Sequence, residues 1–231
     1  MISNQTDLLM NISPLDGRYR EKVKELGEYF SEGALIKSRI KVEIVYLIKL
    51  GEFLGTVRLN EAEKGRLLDW SKSLTNKNLQ RVKEIEEEIK HDVKAVEYFI
   101  RENLKKLKLQ KLSVWVHWGL TSEDVNNLAY GILLQEFKDK VLVKQETEVI
   151  KKLAEMAGKY KAVAMPGRTH GQLAVPTTAG KELVVFASRA NFWLEKLKNL
   201  KLSGKLNGAV GNFNAQAKLY PQKDWLGFSR K

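Results

Sequence analysis

Apolar residues recur at helical spacing along most of this 231-residue chain. Val125, Leu128, Ala129, Ile132, Leu133 and Phe137 form one stripe, and Ile150, Leu153, Ala154 and Ala157 carry the same period onward. A second stripe runs through Leu183, Phe186, Ala187, Ala190, Leu194 and Leu197. Helices are also predicted over about 21–54, 61–78 and 79–107. Alternating β-branched runs are scarce and prolines number only 4, so the pattern predicts an all-α chain. Stripes this long need partners along their whole length, which implies a helix bundle completed by other subunits.

Punctuation divides the pattern. Ser13-Pro-Leu-Asp-Gly17 is a turn signature, followed by Arg18 and Tyr19. A Pro- and Gly-rich loop, Met165-Pro-Gly-Arg-Thr-His-Gly-Gln172, separates the two long stripes, and Pro176-Thr-Thr is expected to open the next helix with Pro in its first turn. From Asn207 onward, Gly208, Gly211 and Pro221 interrupt the chain, and the tail is expected to end without a capped element. The reading is an N-terminal α-helical domain over residues 1–112 and the first part of a long-helix bundle over residues 113–231.

Composition narrows the chemistry. With 43% hydrophobic residues a sizeable core is available, and with no cysteine there are no disulfides, thiolate nucleophiles or Cys-based zinc sites. The expected setting is the cytoplasm, since neither a membrane span nor a signal peptide is read from the sequence. The net charge of +12 raises nucleic acid as a partner. The lysines sit at helix-surface spacing, as in Lys105, Lys106, Lys108 and Lys111, and no recognition motif accompanies them. A small polyanionic substrate is the expected partner, rather than nucleic acid or a membrane.

The chain has only 3 histidines. His170, between Pro166, Gly167, Gly171 and Pro176, suits proton transfer near neutral pH, and the positive end of the next helix is expected beside it. His117-Trp-Gly-Leu-Thr-Ser-Glu-Asp124 precedes a long helix. Thr121 and Asp124 resemble a capping box, and the hydroxyls of Thr121 and Ser122 at a helix N-terminus suit an anion. His91-Asp-Val-Lys-Ala-Val-Glu97 falls inside a helical pattern, where a histidine is ordinarily a surface residue, and no second histidine at i+4 makes a zinc motif. Walker and Rossmann loops, nucleophile elbows and carboxylate clusters are absent from the sequence, and neither metal nor organic cofactor is expected.

Five segments together resemble the adenylosuccinate lyases of the fumarase/aspartase superfamily. They are Ile12-Ser-Pro-Leu-Asp-Gly-Arg-Tyr19, His91-Asp-Val-Lys-Ala-Val-Glu-Tyr98, Thr121-Ser-Glu-Asp-Val-Asn-Asn127, Arg168-Thr-His-Gly-Gln172 with Pro176-Thr-Thr-Ala-Gly-Lys-Glu182, and Leu206-Asn-Gly-Ala-Val-Gly-Asn212. They occur in family order across the whole chain. The resemblance implies a fumarate-releasing β-elimination by a homotetramer whose sites combine residues of different subunits. It implies that His170 is the general acid and that His91 holds the substrate and orients the acid. Thr121 and Ser122 would contact the succinyl part, Arg18 and Tyr19 the phosphate side, and Lys90, Asp92, Thr169 and Gln172 would complete the binding set.

Two departures accompany it. Lys90 stands where the family often has Asn. The family's loop Ser-Ser-x-Met-Pro-x-Lys-x-Asn-Pro, whose serine is the general base, does not occur in residues 1–231; Ala164-Met-Pro-Gly167 matches it only superficially, with Ala162 and Val163 at the serine positions. The expectation is therefore an N-terminal half that is inactive alone. A non-catalytic fragment, a lyase acting on another succinyl or aspartyl adduct, and a basic helical binding module are the other readings.

Overall fold

The computed structural model describes residues 10–57 and 59–230. It contains two compact units, Met1–Leu133 with Ser203–Lys231, and Leu134–Leu202. The all-α expectation holds, with one small two-stranded sheet. No helix among the described residues is long and apolar enough to cross a membrane.

The first unit opens with short turns, α1 (Arg20–Val23), a 3-10 turn (Lys24–Leu26) and α2 (Gly27–Phe30). The helix predicted over 21–54 breaks at Ser31, which is extended at φ −81° and ψ 157°. The cause is local: Ser31 Oγ accepts the Ala34 N–H at 3.1 Å and so caps α3 (Glu32–Leu54). Next come α4 (Glu61–Lys72), α5 (Asn76–Ile89) and α6 (Asp92–Lys106). The junction expected near 78 falls earlier, where the Thr75 N–H donates to Asn78 Oδ1 at 2.9 Å. A further, unpredicted break separates α5 from α6. Lys90 turns left-handed (φ 56°) and its N–H closes α5 on Glu86 O at 2.7 Å.

Helix α3 organises the core because it is apolar around most of its circumference. Ile36, Ile40, Ile44 and Leu47 pack with Leu67, Val82, Ile85, Phe99 and Ile100. Tyr46, Leu50 and Leu54 pack with Phe213 and Trp225. Val42 packs with Val93, Val125 and Ala129. Each such buried side chain contributes about 1.5–3 kcal/mol before conformational entropy is subtracted. The tail therefore joins the core of the first unit through Phe213 and Trp225. Contrary to expectation it also holds a capped element: α10 (Asn214–Leu219) is followed by α11 (Trp225–Ser229), whose Gly227 N–H donates to Asp224 Oδ1 at 2.8 Å.

The long helix predicted after Thr121 runs as α7 (Ser122–Phe137), a π-helical turn (Lys138–Leu142) and α8 (Val143–Lys159). In the second unit α8 packs on α9 (Ala179–Asn199). Lys138, only 5% exposed, sends its ammonium to Leu200 O at 2.8 Å and to Leu197 O at 3.3 Å. It thereby gives Leu200 O a donor and adds a second one to Leu197 O, which already accepts the Leu200 N–H at 3.2 Å.

The segment expected as a loop is instead an antiparallel hairpin, β1 (Ala164–Thr169) and β2 (Gln172–Thr178), in register Ala164↔Thr178 to Thr169↔Gln172. Pro166 faces Pro176, and a bulge falls at Gly167, where a Cβ would lie 2.8 Å from Val175 O. Nearly every hairpin residue is exposed, including Leu173 and Val175. With neither face buried, no alternation marks these strands in the sequence. Helix α9 starts at Ala179, three residues beyond the expected Pro176, with Thr178 Oγ1 accepting the Lys181 N–H at 3.1 Å.

Candidate active site

Each of the three histidines lies on, or directly after, a left-handed residue. His117 has φ 60°, His170 has φ 52°, and His91 follows Lys90 at φ 56°. Such a backbone costs a β-carbon-bearing residue of order 1–3 kcal/mol, and residues like these cluster where function demands them.

In the second unit His170 and Gly171 (φ 52° and 74°) form the two-residue tip of the hairpin. Positive φ at both positions is what a type I′ turn requires. The imidazole is exposed and makes no hydrogen bond among the described residues, so both ring nitrogens are open to a ligand. The helix terminus expected beside it is not there. Strand β2 intervenes, and at about 3.4 Å per residue it sets the tip roughly 20 Å from the start of α9. Thr169 and Gln172, the pair that closes the turn, flank His170.

In the first unit His91 is the N-cap of α6 rather than a residue within a helix. Its backbone is extended, and its Nδ1 accepts the Lys94 N–H at 3.2 Å. An accepting Nδ1 places the proton of the neutral ring on Nε2, which leaves an N–H donor on a half-exposed side chain. Lys90 beside it is exposed. Asp92 is directed inward: Oδ1 accepts its neighbour's Val93 N–H at 2.8 Å and Oδ2 accepts Arg39 Nη2 at 2.7 Å. Burial alone would raise this carboxyl's pKa, but the Val93 bond and the Arg39 charge outweigh it and hold Asp92 below its ordinary value.

Arg39 joins two of the motifs. Besides Asp92 it reaches Asn126 Oδ1 on α7 through Nε, at 2.9 Å, with only 7% of its side chain exposed. The His91 and Thr121 segments are thus tied to one guanidinium. Thr121 and Ser122 open α7 half-buried, and their hydroxyls make no hydrogen bond among the described residues. Asp124, fully buried, completes half of the expected capping box by accepting the Thr121 N–H at 3.0 Å. It also accepts the N–H groups of Asn207 at 3.1 Å and Gly208 at 3.0 Å. A carboxylate here is favoured by the positive helix end. The Leu206–Asn212 segment is thereby held against the start of α7.

His117 and Glu43 form a close pair. Nδ1 lies 2.5 Å from Glu43 Oε1, and the His117 N–H donates to Oε2 at 3.2 Å. Burial lowers the imidazole's pKa, but the hydrogen bond and charge of Glu43 raise it by more, so it stands above the ordinary 6.5. Arg18 and Tyr19 leave the exposed opening turn with the guanidinium carbon 5.5 Å from the ring centre. An apolar groove of about 470 Å³, lined by Val42, Val45, Phe53, Leu128 and Phe228 among others, contains none of these polar residues and is not where the chemistry gathers.

Sequence reasoning did not name Arg39, Glu43 or His117 as site residues. A signal for two of them exists: Arg39 and Glu43 stand at i and i+4 within the apolar stretch from Ala34 to Leu50, on the face of Ile36, Ile40 and Leu47, and buried charges have partners.

The chain belongs to the lyase family, whose model matches residues 16–228. Adenylosuccinate lyase of Haemophilus influenzae is 38% identical over 231 residues, which cover 98% of this chain and 51% of that protein. That of Dictyostelium discoideum is 41% identical, covering 100% of this chain and 52% of the relative. The chain thus spans about half the length of the curated relatives it matches. Among solved structures, a fumarate lyase from Mesorhizobium superposes with a TM-score of 0.68 at 20% identity over 85% of this chain and 44% of that one. The 3-carboxy-cis,cis-muconate lactonizing enzyme of Pseudomonas putida gives 0.66 at 18% identity over 95% of this chain and 47% of that one, so both share the fold.

Proposed function

We propose that this chain is the N-terminal portion of an adenylosuccinate lyase, a C–N lyase that cleaves adenylosuccinate to AMP and fumarate. It treats the related succinyl-carboxamide ribotide of purine biosynthesis in the same way. In such an elimination a base removes a proton from the carbon beside a carboxylate, the C–N bond breaks, and an acid protonates the departing nitrogen. His170 is that acid. The observation that carries the assignment is its left-handed, unbonded imidazole at an exposed turn, in a chain with this degree of identity to adenylosuccinate lyases.

The first unit supplies binding. His91 offers its Nε2 N–H and orients the acid, and Thr121 and Ser122 offer free hydroxyls to the succinyl carboxylates. Arg18 and Tyr19 meet the phosphate, and a guanidinium suits that anion. Lys90, Asp92, Thr169 and Gln172 belong to the same set; the inward bonds of Asp92 favour an orienting part for it. The family's serine loop, which would supply the base, does not occur in residues 1–231, and no cofactor enters the scheme. The working form is a cytoplasmic homotetramer whose sites draw on several subunits, and the family's domain division falls at 112/113.

The test is to incubate the enzyme, at the full length of its relatives, with adenylosuccinate and follow fumarate. Release is expected, and no fumarate would sink the assignment. The 231-residue chain alone is expected to give none.

A further inference from the structure

Glu43 lies on the buried side of α3 and is 1% exposed. Both of its oxygens go to a single residue, Oε1 to His117 Nδ1 at 2.5 Å and Oε2 to the His117 N–H at 3.2 Å. Neither oxygen has another hydrogen-bond partner among the described residues. The ring cannot turn over without losing one of these contacts. With Nδ1 engaged, Nε2 is the only ring nitrogen left, and it has no partner among the described residues. Four and five positions further on stand Thr121 and Ser122, whose hydroxyls likewise have no partner among the described residues.

Burying a carboxylate costs several kcal/mol unless its oxygens find donors, and here the ring and the backbone N–H of His117 supply one to each. What a carboxylate adds is control of the ring: it sets which nitrogen carries the proton and strengthens the other as a hydrogen-bonding group. His117 also tolerates a left-handed backbone to reach this position.

We propose that Glu43 is a positioning residue that locks the His117 ring with its Nδ1 proton toward the carboxylate. In the protonated ring Nε2 then carries the second proton and donates it to an anionic oxygen of the substrate bound at the Thr121–Ser122 helix start. The substrate half of this statement rests on the lyase reading above; the geometric half does not. Other charges act on the ring from α6. Glu97 reinforces Glu43, and Lys94 opposes both while pairing with Glu97 at 2.8 Å.

With three histidines in the chain, imidazole nitrogen NMR resolves each one. In the unmodified 231-residue chain, His117 is expected with a protonated Nδ1 throughout and to titrate above its ordinary value. Glu43→Gln is expected to lower the His117 titration by about one pH unit or more, the scale set by one neighbouring charge, while leaving His91 and His170 where they were. Glu43→Asp should restore part of the shift. An unprotonated Nδ1 in the neutral ring of the unmodified chain overturns the proposal with no variant needed, as does a Glu43→Gln chain whose His117 titrates unchanged.

In the full-length enzyme, Glu43→Gln should move the basic limb of the kcat/KM profile to lower pH by a similar amount. A profile that keeps its shape while only thermal stability drops overturns the substrate half. If the unmodified enzyme releases no fumarate at all, the lyase reading fails, while the NMR result still decides whether Glu43 sets the ring.

Discussion

The ammonium of Lys205 lies 2.6 Å from the fully buried Oδ1 of Asp124, at the first turn of α7 and 81 residues earlier in the chain. The same carboxylate takes three backbone N–H groups, from Thr121, Asn207 and Gly208. Asn127 adds a reciprocal pair with the Lys205 backbone, donating to its O at 3.0 Å and accepting from its N at 2.7 Å. One acidic side chain therefore fastens the glycine-rich segment of the tail to the helix start that carries Thr121 and Ser122.

Removing this carboxylate leaves the N–H groups of Thr121, Asn207 and Gly208 without their acceptor and the Lys205 ammonium with Gly208 O alone. Asp124→Ala should destabilise the first unit by about 1–3 kcal/mol, the cost of leaving buried N–H donors without their acceptor, since Lys205 is 35% exposed and keeps Gly208 O. Urea unfolding followed by tryptophan fluorescence measures this, because Trp118 and Trp225 belong to that unit's core. A loss below about 1 kcal/mol would show that the segment is held by other contacts.

Arg39 predicts a pH effect whose sign follows from Asp92. The folded pKa of Asp92 is lowered, so its stabilisation is fully present above the ordinary value of about 3.9 and is lost as pH falls through the lowered one. Arg39→Met should remove much of that depression, making the variant less stable than the parent at neutral pH. The gap should narrow as pH falls through the lowered value of the parent, below which Asp92 is protonated in both. Unfolding midpoints measured across pH 2–7, a window chosen around that carboxyl value, check this; a gap constant with pH would show that the two residues are not coupled.

His170 separates turn chemistry from proton transfer. Asn-Gly is the favoured pair for a type I′ turn, so His170→Asn should leave the melting temperature of the chain unchanged or slightly higher. In the full-length enzyme the same change should cut turnover by about 10²–10⁴, the usual contribution of a general acid. Near-normal turnover would reject His170 as the acid.

Lys138 makes a structural prediction for the second unit. Lys138→Met keeps the chain length but withdraws the donor from Leu197 and Leu200. A loss of about 1–3 kcal/mol is expected for leaving the Leu200 carbonyl without its donor. Hydrogen exchange should quicken at the last turn of α9 before it does so at mid-helix; uniform protection in the variant would contradict the capping role.

The helices were legible where a local rule acts. Apolar stripes located α7, α8 and α9, and Thr121 with Asp124 marked a helix start. Reading failed where a cap divides one apolar pattern in two, as at Ser31 and at Lys90–His91, because the stripe continues across the break. It failed again at the hairpin, where proline, glycine and full exposure erase the strand period. His91 stands inside a continuous helical pattern in the sequence, which hides its place at a helix start. Only its extended backbone and its bond to the Lys94 N–H reveal an N-cap with Nε2 left as a donor.

Taken by itself, the sequence determined the helical class, the histidine-bearing segments and their order, since periodicity, turn residues and motifs are all written within a few neighbouring positions. Tertiary structure alone decided what those residues are bonded to. Glu43 meets His117 across 74 positions, Arg39 meets Asn126 across 87, and Asp124 meets Gly208 across 84. No local period encodes such pairings. They arise because Arg39 and Glu43 on α3, and Asp124 on α7, are buried, so each of these charges must find its partner on whatever element the core brings against it.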